Sequence, residues 1–527
     1  MKIIEKNLIY VILFFTFSVF LYINYRYLDI EFLAYTNGDE FMQFHSLYRM
    51  FEGFKTLNLE NIFRFDSYVY GFIWHLINLV FTIPFHLSGN TEMAIFMPRV
   101  VNAIFSVSAL FVIFLISRIF LNYFYSYGIV LFTLSMSGFF KSGYLFKPDV
   151  FQALLILIST YFLIKDNFAF KKYFYFGVLF FALSIGAAKI QAIMFMPLIY
   201  LYIGSKFIFS PSFKNLLFAI KNGFFSTLAI IAIFIITNPY LLNKRGFNAW
   251  FSMFTMNMDS NITNHGSYVN VTIMDKLFKV VDFYYIEIIN FIILIAFCIY
   301  FLISIFRFKP LNTNNLRVFF VPLCASLISI IYLFLFVNKT WMNYYVSSIY
   351  LLVLILIPLF VLYKSKKLLF LMLALQIGGG ISNLAYAEVF NKFNRDLLKA
   401  YEESNDLVEN LKSLSCKNEM RILTDNPSFE YKKLNIDSRN IYQTFGAFKK
   451  DMYVLEEFLK KSNSKNIKYF YNPNVIILRK DNIWFSKNEE YEKRKDYKES
   501  IENIQELEFL GFKLKESKYF YIYAKGC

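Results

Sequence analysis

The 527 residues carry a formal net charge of +16, and 57% of them are hydrophobic, with 67 phenylalanines and a mean hydropathy of +0.45. One soluble core cannot hold that many apolar side chains, so the chain reads as a polytopic membrane protein whose runs of about 20 apolar residues are long enough to cross a bilayer. Its Lys and Arg lie mainly between those runs and in the C-terminal part, not in one basic stripe interleaved with aromatics, which argues against nucleic acid as a partner.

Taken in chain order, apolar spans are predicted at 8–28, 93–117, 123–140, 149–164, 173–190, 192–209, 223–242, 284–306, 318–337, 344–363 and 368–386. The first resembles a signal peptide, but its apolar run is long and no small-residue cleavage site follows, so it is read as an uncleaved span. The run YVYGFIWHLINLVFTIPFHL at 68–87 is also apolar enough to cross. Charge decides against it. With 68–87 lying in the interface, Lys2, Lys6, Arg118, Lys165, Lys171, Lys172, Lys206, Lys214, Lys221, Arg307, Lys309, Arg317, Lys364, Lys366 and Lys367 all fall on one side, as the positive-inside rule requires. The expected topology therefore has a cytoplasmic N-terminus, an interfacial helix at 68–87, and outward-facing segments at 29–92, 141–148, 243–283 and beyond 387.

Beyond residue 390 the character changes. Charged sequence alternates with the β-rich runs RILTD (421–425), IKYFY (467–471), NVIILRK (474–480) and YFYIYAK (519–525), separated by helical patterns near 394–414, 451–462 and 496–508. This predicts a transmembrane domain over 1–390 and a small periplasmic α/β domain over 391–527, without a phosphate loop of either common kind. Cys298 and Cys324 sit in apolar runs as packing, whereas Cys416 and Cys527 pair if the tail faces an oxidising compartment. Gly378 to Gly380 in the last span suit close helix packing.

The residues able to carry chemistry gather on the expected outer face. Asp39 and Glu40 open a helical pattern (Phe41, Phe44, Leu47, Tyr48, Phe51), where an acid also serves as a cap. Asp66 precedes the interfacial run and Asp149 follows Pro148 at the start of a span, both again compatible with capping. Lys189 in GAAKIQAIMFMP is a cation in an apolar helix, which marks a functional candidate unless it snorkels to the headgroups. Lys339, Trp341, Tyr344 and Tyr345 stand at another outer boundary, where an aromatic belt is the plainer account. His45, His75, His86 and His265 share no ligand spacing, so no metal site is expected from them; the adjacent carboxylates Asp39 and Glu40 suit Mg²⁺ or Mn²⁺ if a metal is used at all.

In order along 1–390, DEFMQFHSLYRM, the acid before an interfacial helix, KPD opening a span, GAAKIQAIMFMP, and K-x-W-x-x-YY resemble the GT-C glycosyltransferases, in particular the ArnT/protein-O-mannosyltransferase superfamily. The resemblance implies a GT-C-like membrane fold of about 11 transmembrane helices and inverting transfer of a hexose or pentose from a polyprenyl-phosphate donor to a lipid, glycan or protein acceptor. It also implies a bacterial cytoplasmic (inner) membrane enzyme acting on the periplasmic face. Carried onto this sequence, Asp39 with Glu40 and Asp149 are the catalytic acids, Asp39 being the general base, and Asp66, Lys189, Lys339, Tyr344 and Tyr345 contact donor or acceptor. Two departures stand out. Ser67 occupies the place where the ArnT subgroup has a lysine, and no WWD motif is present, which argues against an oligosaccharyltransferase subunit. A transporter or flippase and a non-catalytic envelope assembly subunit are the rival readings; the gathering of polar residues at one face, with no matching halves, weighs against transport.

Overall fold

The computed structural model describes residues 2–25, 39–63, 69–263, 271–284, 286–307, 314–339, 341–382, 395–416, 419–424, 429, 431–436, 440–443, 473–480, 507–508 and 511–527. Helix α1 (Lys2–Tyr25) is followed by α2 (Asp39–Lys55), α3 (Leu59–Phe63), α4 (Phe72–Leu87), the long α5 (Thr91–Phe120), α6 (Tyr123–Leu134), α7 (Ser137–Gly143), α8 (Asp149–Asp166) and α9 (Lys172–Leu183). Then come α10 (Pro197–Phe209), α11 (Phe213–Thr237), α12 (Lys244–Thr263), α13 (Ile273–Tyr284), α14 (Ile288–Arg307), α15 (Phe320–Phe336), α16 (Val346–Val353), α17 (Leu356–Tyr363), α18 (Lys366–Ser382) and α19 (Arg395–Lys412). Helix occupies most of the described residues of every predicted span. Among the described residues seven helices are long and apolar enough to cross a membrane by themselves, and an eighth forms if α6 and α7, bent by 66° at Ser135 and Met136, count together.

Local chemistry sets several of these boundaries. Asn90, Asn122 and Ser212 each accept the backbone N–H three residues on, at 3.1, 3.2 and 3.2 Å, and so start α5, α6 and α11 by satisfying an amide the helix leaves unpaired. The Ser212 cap explains why α11 begins ten residues before the predicted 223. Its apolar side chains, among them Phe224, Phe225 and Ile236, remain exposed, as suits a helix facing hydrocarbon rather than protein. Helix α4, packed against α2 and α5, buries Phe72, Trp74 and Leu79 together with His75, Asn78, Thr82 and His86 and leaves Val80 and Phe81 outside, so its outer face is apolar and its buried face mixed. Gly378 is exposed, and a methyl group there would meet nothing within 4 Å. The expectation that it permits close helix packing is therefore wrong at that position.

The C-terminal residues form a five-stranded sheet in the order β2-β1-β3-β5-β4, where β1 is Ile422–Thr424, β2 Ile441–Gln443, β3 Val475–Arg479, β4 Lys513–Glu516 and β5 Phe520–Ala524. The first three strands run parallel, with Ile422 opposite both Ile441 and Val475; β5 joins β3 antiparallel with Ile477 opposite Ile522. Helix α19 buries Leu407, Val408 and Leu411. Strands β2 and β4 were not predicted, because three or four residues with charges at the edge carry too little alternation to read. The predicted strand at 467–471 and helix at 451–462 lie outside the described residues, as does 496–506. Cys416 and Cys527 are joined by a disulfide. The sheet is tied to the helical part by the His45 imidazole on α2, whose Nε2–H donates to the Ile441 carbonyl.

Candidate active site

Two buried ion pairs organise the end of the bundle where α2, α5 and α8 meet. In the first, Arg99 on α5 donates from Nη2 to Glu40 Oε2 at 2.8 Å, with both side chains almost wholly buried. The other Glu40 oxygen accepts the Phe146 backbone N–H. Asn102, three residues along α5 from Arg99, donates from Nδ2 to the carbonyls of Ser142, Gly143 and Leu145. The turn that leads into α8 is thus held by Glu40 of α2 and Asn102 of α5, and Arg99 fixes the first turn of α2 beside it. Asp39 opens α2 directly before Glu40.

The second pair joins Lys189 Nζ to Asp149 Oδ1 at 2.7 Å, again with both residues buried. Lys189 reaches this position because α9 does not continue as a helix. It ends in a π turn over Ser184–Ala188, Lys189 itself is extended (φ −156°, ψ 131°), and a 3₁₀ turn follows over Ile190–Phe195. The extended residue bridges antiparallel to Tyr70, with Ile190 N–H donating to the Val69 carbonyl at 3.1 Å and Gly71 N–H to the Ala188 carbonyl at 2.8 Å. Gly71 is required by that approach: a Cβ there would lie 2.3 Å from the Ala187 carbonyl. Asn238, after α11, seals the same junction by donating to the Gly186 carbonyl at 2.9 Å and accepting the Phe72 N–H at 3.2 Å. The ammonium also lies 4.9 Å from the centre of the Tyr344 ring and 5.5 Å from that of Tyr70, so two aromatic faces share its charge with the carboxylate.

Of the residues chosen from sequence, Asp149, Lys189 and Tyr344 meet directly. Tyr344 is held in place by its hydroxyl, which donates to Asn261 on α12 at 3.3 Å, and Asn261 in turn accepts the Asn338 N–H at 2.7 Å. Lys339 is buried beside that junction with its ammonium 4.4 Å from the Trp341 ring centre, and Tyr345 is buried against Phe334. Asp66 and Ser67 lie outside the described residues, as does the side chain of Asp39. At Glu40 an arginine and a backbone amide each engage one of the carboxylate oxygens. Among the described residues no three His, Cys, Asp or Glu side chains gather as ligands. His75 contacts Gln43 and the Gly71 carbonyl, and His86 stacks on Phe51; His265 lies outside the described residues.

Sequence reasoning missed Arg99, Asn102, Gly71 and Asn238. The signal for Arg99 was present as a lone cation in the apolar run TEMAIFMPRVVNAIF, the same kind of cost that singled out Lys189. Gly71 and Asn238 gave no signal, because their importance arises from contacts across 116 and 52 residues of chain, from Gly71 to Ala187 and from Asn238 to Gly186.

No protein-family model matches the chain, and no curated protein matches it either. Solved structures do. The structure of ArnT from Cupriavidus metallidurans bound to undecaprenyl phosphate superposes with a TM-score of 0.55 at 9% identity, covering 98% of this chain and 97% of that one. The same enzyme in the apo state gives 0.51 at 10% identity, over 92% and 93% of the two chains. The chain has the GT-C fold. That agrees with the fold implied by the short motifs, and near-complete coverage of both chains extends the likeness through the C-terminal sheet. The archaeal oligosaccharyltransferase AglB from Archaeoglobus fulgidus gives a TM-score of 0.46 at 9% identity, over 90% of this chain and 70% of that one.

Proposed function

We propose that this protein is an inverting glycosyltransferase that takes a sugar from a polyprenyl-phosphate donor and joins it to a lipid, glycan or protein acceptor at the outer face of the bacterial cytoplasmic membrane. The observation that carries this reading is the Lys189–Asp149 pair, a buried ammonium presented by a helix broken at that residue, within the fold of an enzyme whose solved structure contains undecaprenyl phosphate. A phosphate leaving group requires positive charge at the oxygen that becomes free, and a lysine fixed in a low-dielectric setting supplies it without reorganisation. Asp149 and the rings of Tyr70 and Tyr344 keep that ammonium in place before the donor arrives.

In the proposed step, Asp39 accepts the proton of the acceptor hydroxyl while its oxygen attacks the anomeric carbon. The bond from that carbon to the phosphate oxygen breaks, the electron pair leaves with polyprenyl phosphate beside Lys189, and one inversion results. Glu40 acts by position: its bonds to Arg99 and Phe146 hold the start of α2, and therefore Asp39, next to the turn that carries Asp149. Asp66, Lys339, Tyr344 and Tyr345 belong to the surrounding donor and acceptor contacts. We further propose that residues 1–390 are the catalytic domain, that residues 391–527 form a periplasmic domain, that the N-terminus is cytoplasmic and that 68–87 lies in the outer interface. The Cys416–Cys527 disulfide supports an oxidising compartment for the C-terminal sheet.

Reconstituted protein supplied with a panel of polyprenyl-phosphate sugars should release polyprenyl phosphate from at least one of them in the presence of acceptor lipid or glycan. Asp39→Asn keeps the capping ability of the side chain but not its basicity, so it should lose on the order of 10²-fold in rate with unfolding unchanged. Transfer by Asp39→Asn at the wild-type rate refutes the base, and no release from any donor refutes the transferase.

A further inference from the structure

Beside the ion pair, and one turn further along α8, lie buried polar atoms that no described residue satisfies. Asp149 uses Oδ1 for Lys189, but its Oδ2 has no hydrogen-bond partner; the same holds for Gln152 Oε1, Tyr345 OH and Tyr350 OH. Their residues are 5%, 4%, 2% and 1% exposed, so bulk water does not supply the missing bonds. Leaving a buried polar group without a partner is costly, and four such groups on adjoining helices call for an occupant.

The four atoms come together through helix geometry. Gln152 follows Asp149 by three residues on α8, a rise of about 4.5 Å on nearly the same face. Its Nε2 donates to Ser347 Oγ on α16 at 3.4 Å, which sets the two helices face to face. Tyr350 lies three residues beyond Ser347 on that side of α16, and Tyr345 directly precedes the helix. Tyr284, the last residue of α13, lies within electrostatic reach of Asp149, Tyr345 and Tyr350 and closes a third side. Helix α13 is anchored by Lys276, whose ammonium donates to the Phe334 carbonyl at 2.7 Å at the end of α15. Aromatic contacts fix the phenol rings, Tyr350 on Phe139 with centres 6.3 Å apart and Tyr345 on Phe334 at 5.7 Å. Nearby, Ser329 and Ser348 satisfy one another at 2.7 Å and Ser326 donates to the Ser348 carbonyl at 2.8 Å.

The chemistry of the set selects among ligands. Two atoms, the carboxylate oxygen and the amide oxygen, only accept; two phenols both donate and accept. A phosphate presents no donors to the acceptors, and a prenyl tail presents nothing. A ring of hydroxyls, each donor and acceptor at once, meets all four. We propose that Asp149 Oδ2, Gln152 Oε1, Tyr345 OH and Tyr350 OH form the subsite that reads the hydroxyl groups of the donor's sugar ring, beside the Lys189 that faces its phosphate. This rests on the transferase reading above and assigns to Gln152 and Tyr350 a role in sugar specificity.

The test measures binding to full-length protein in lipid nanodiscs of two probes, a sugar-free polyprenyl phosphate and a panel of polyprenyl-phosphate hexoses and pentoses. Tyr350→Phe and Tyr345→Phe each delete one hydroxyl and keep the ring. Each should weaken the preferred sugar-bearing lipid about 5- to 10-fold and leave the sugar-free lipid unchanged, the effect of one buried hydrogen bond. Without ligand, Tyr350→Phe should melt no lower than the wild type, because it removes an orphaned hydroxyl rather than a bond. Unchanged binding of the sugar-bearing lipid, or equal weakening of both lipids, overturns the subsite alone. A wild-type protein that binds neither lipid overturns the subsite and the transferase reading together.

Discussion

Removing either partner of the Glu40–Arg99 pair should be among the most damaging single changes in the protein. At 2.8 Å, with side-chain exposures of 1% and 2%, the two charges attract by about 6 kcal/mol if the effective dielectric constant is about 20. Much of that offsets the loss of hydration, so the pair as a whole adds little to stability; removing one charge strands the other and costs about 3–5 kcal/mol. Glu40→Gln is the informative variant, because it keeps an acceptor for the Phe146 N–H while removing the charge and the acceptor that faces Arg99. Arg99→Met keeps most of the volume. Each alone should lower the free energy of unfolding in mixed detergent micelles by about 3–5 kcal/mol, and the double variant should lose less than the sum by about 2 kcal/mol or more. Losses below about 1 kcal/mol that simply add would refute the argument, and with it the claim that this clamp positions Asp39.

Lys189→Met should abolish transfer and destabilise the fold by about 3 kcal/mol, since Asp149 is left buried without its partner; Lys189→Met with Asp149→Asn should recover most of the stability and none of the transfer, read by unfolding and product release on the same samples. Gly71→Ala places a methyl group 2.3 Å from the Ala187 carbonyl and should cost about 1–3 kcal/mol while lowering transfer, whereas Gly378→Ala, with open space around it, should leave both within error. Serine at Cys416 and Cys527 opens a loop of 111 residues and should lower the stability of the C-terminal sheet by up to about 5 kcal/mol, seen as a lower melting temperature of that part under oxidising conditions only.

The sequence alone determined the membrane class, the helix positions and the helical and β-rich halves of the chain, because these depend on local composition and period: apolar runs of bilayer length, and alternation in runs such as NVIILRK. It also singled out Lys189, because an ionisable group in an apolar helix is costly enough to stand out unaided, whereas Asp149 at the start of its span read equally well as a cap. It could not tell which charges pair. Glu40 read as a second catalytic acid beside Asp39, and only packing of α2 against α5 revealed that Arg99 and the Phe146 amide engage its oxygens. The sequence placed a boundary between two spans at 191 but gave no sign of the π turn at Ser184–Ala188 or of the extended Lys189; the backbone of Val69 and Gly71 and the side-chain amide of Asn238, distant in sequence, hold that junction by hydrogen bonds. The orphaned oxygens of Gln152 and Tyr350 belong to the same class of fact. A side chain's unmet hydrogen bonds depend on what folding places around it, and that environment is assembled here from α8, α13 and α16, which are separated by more than 60 residues of chain.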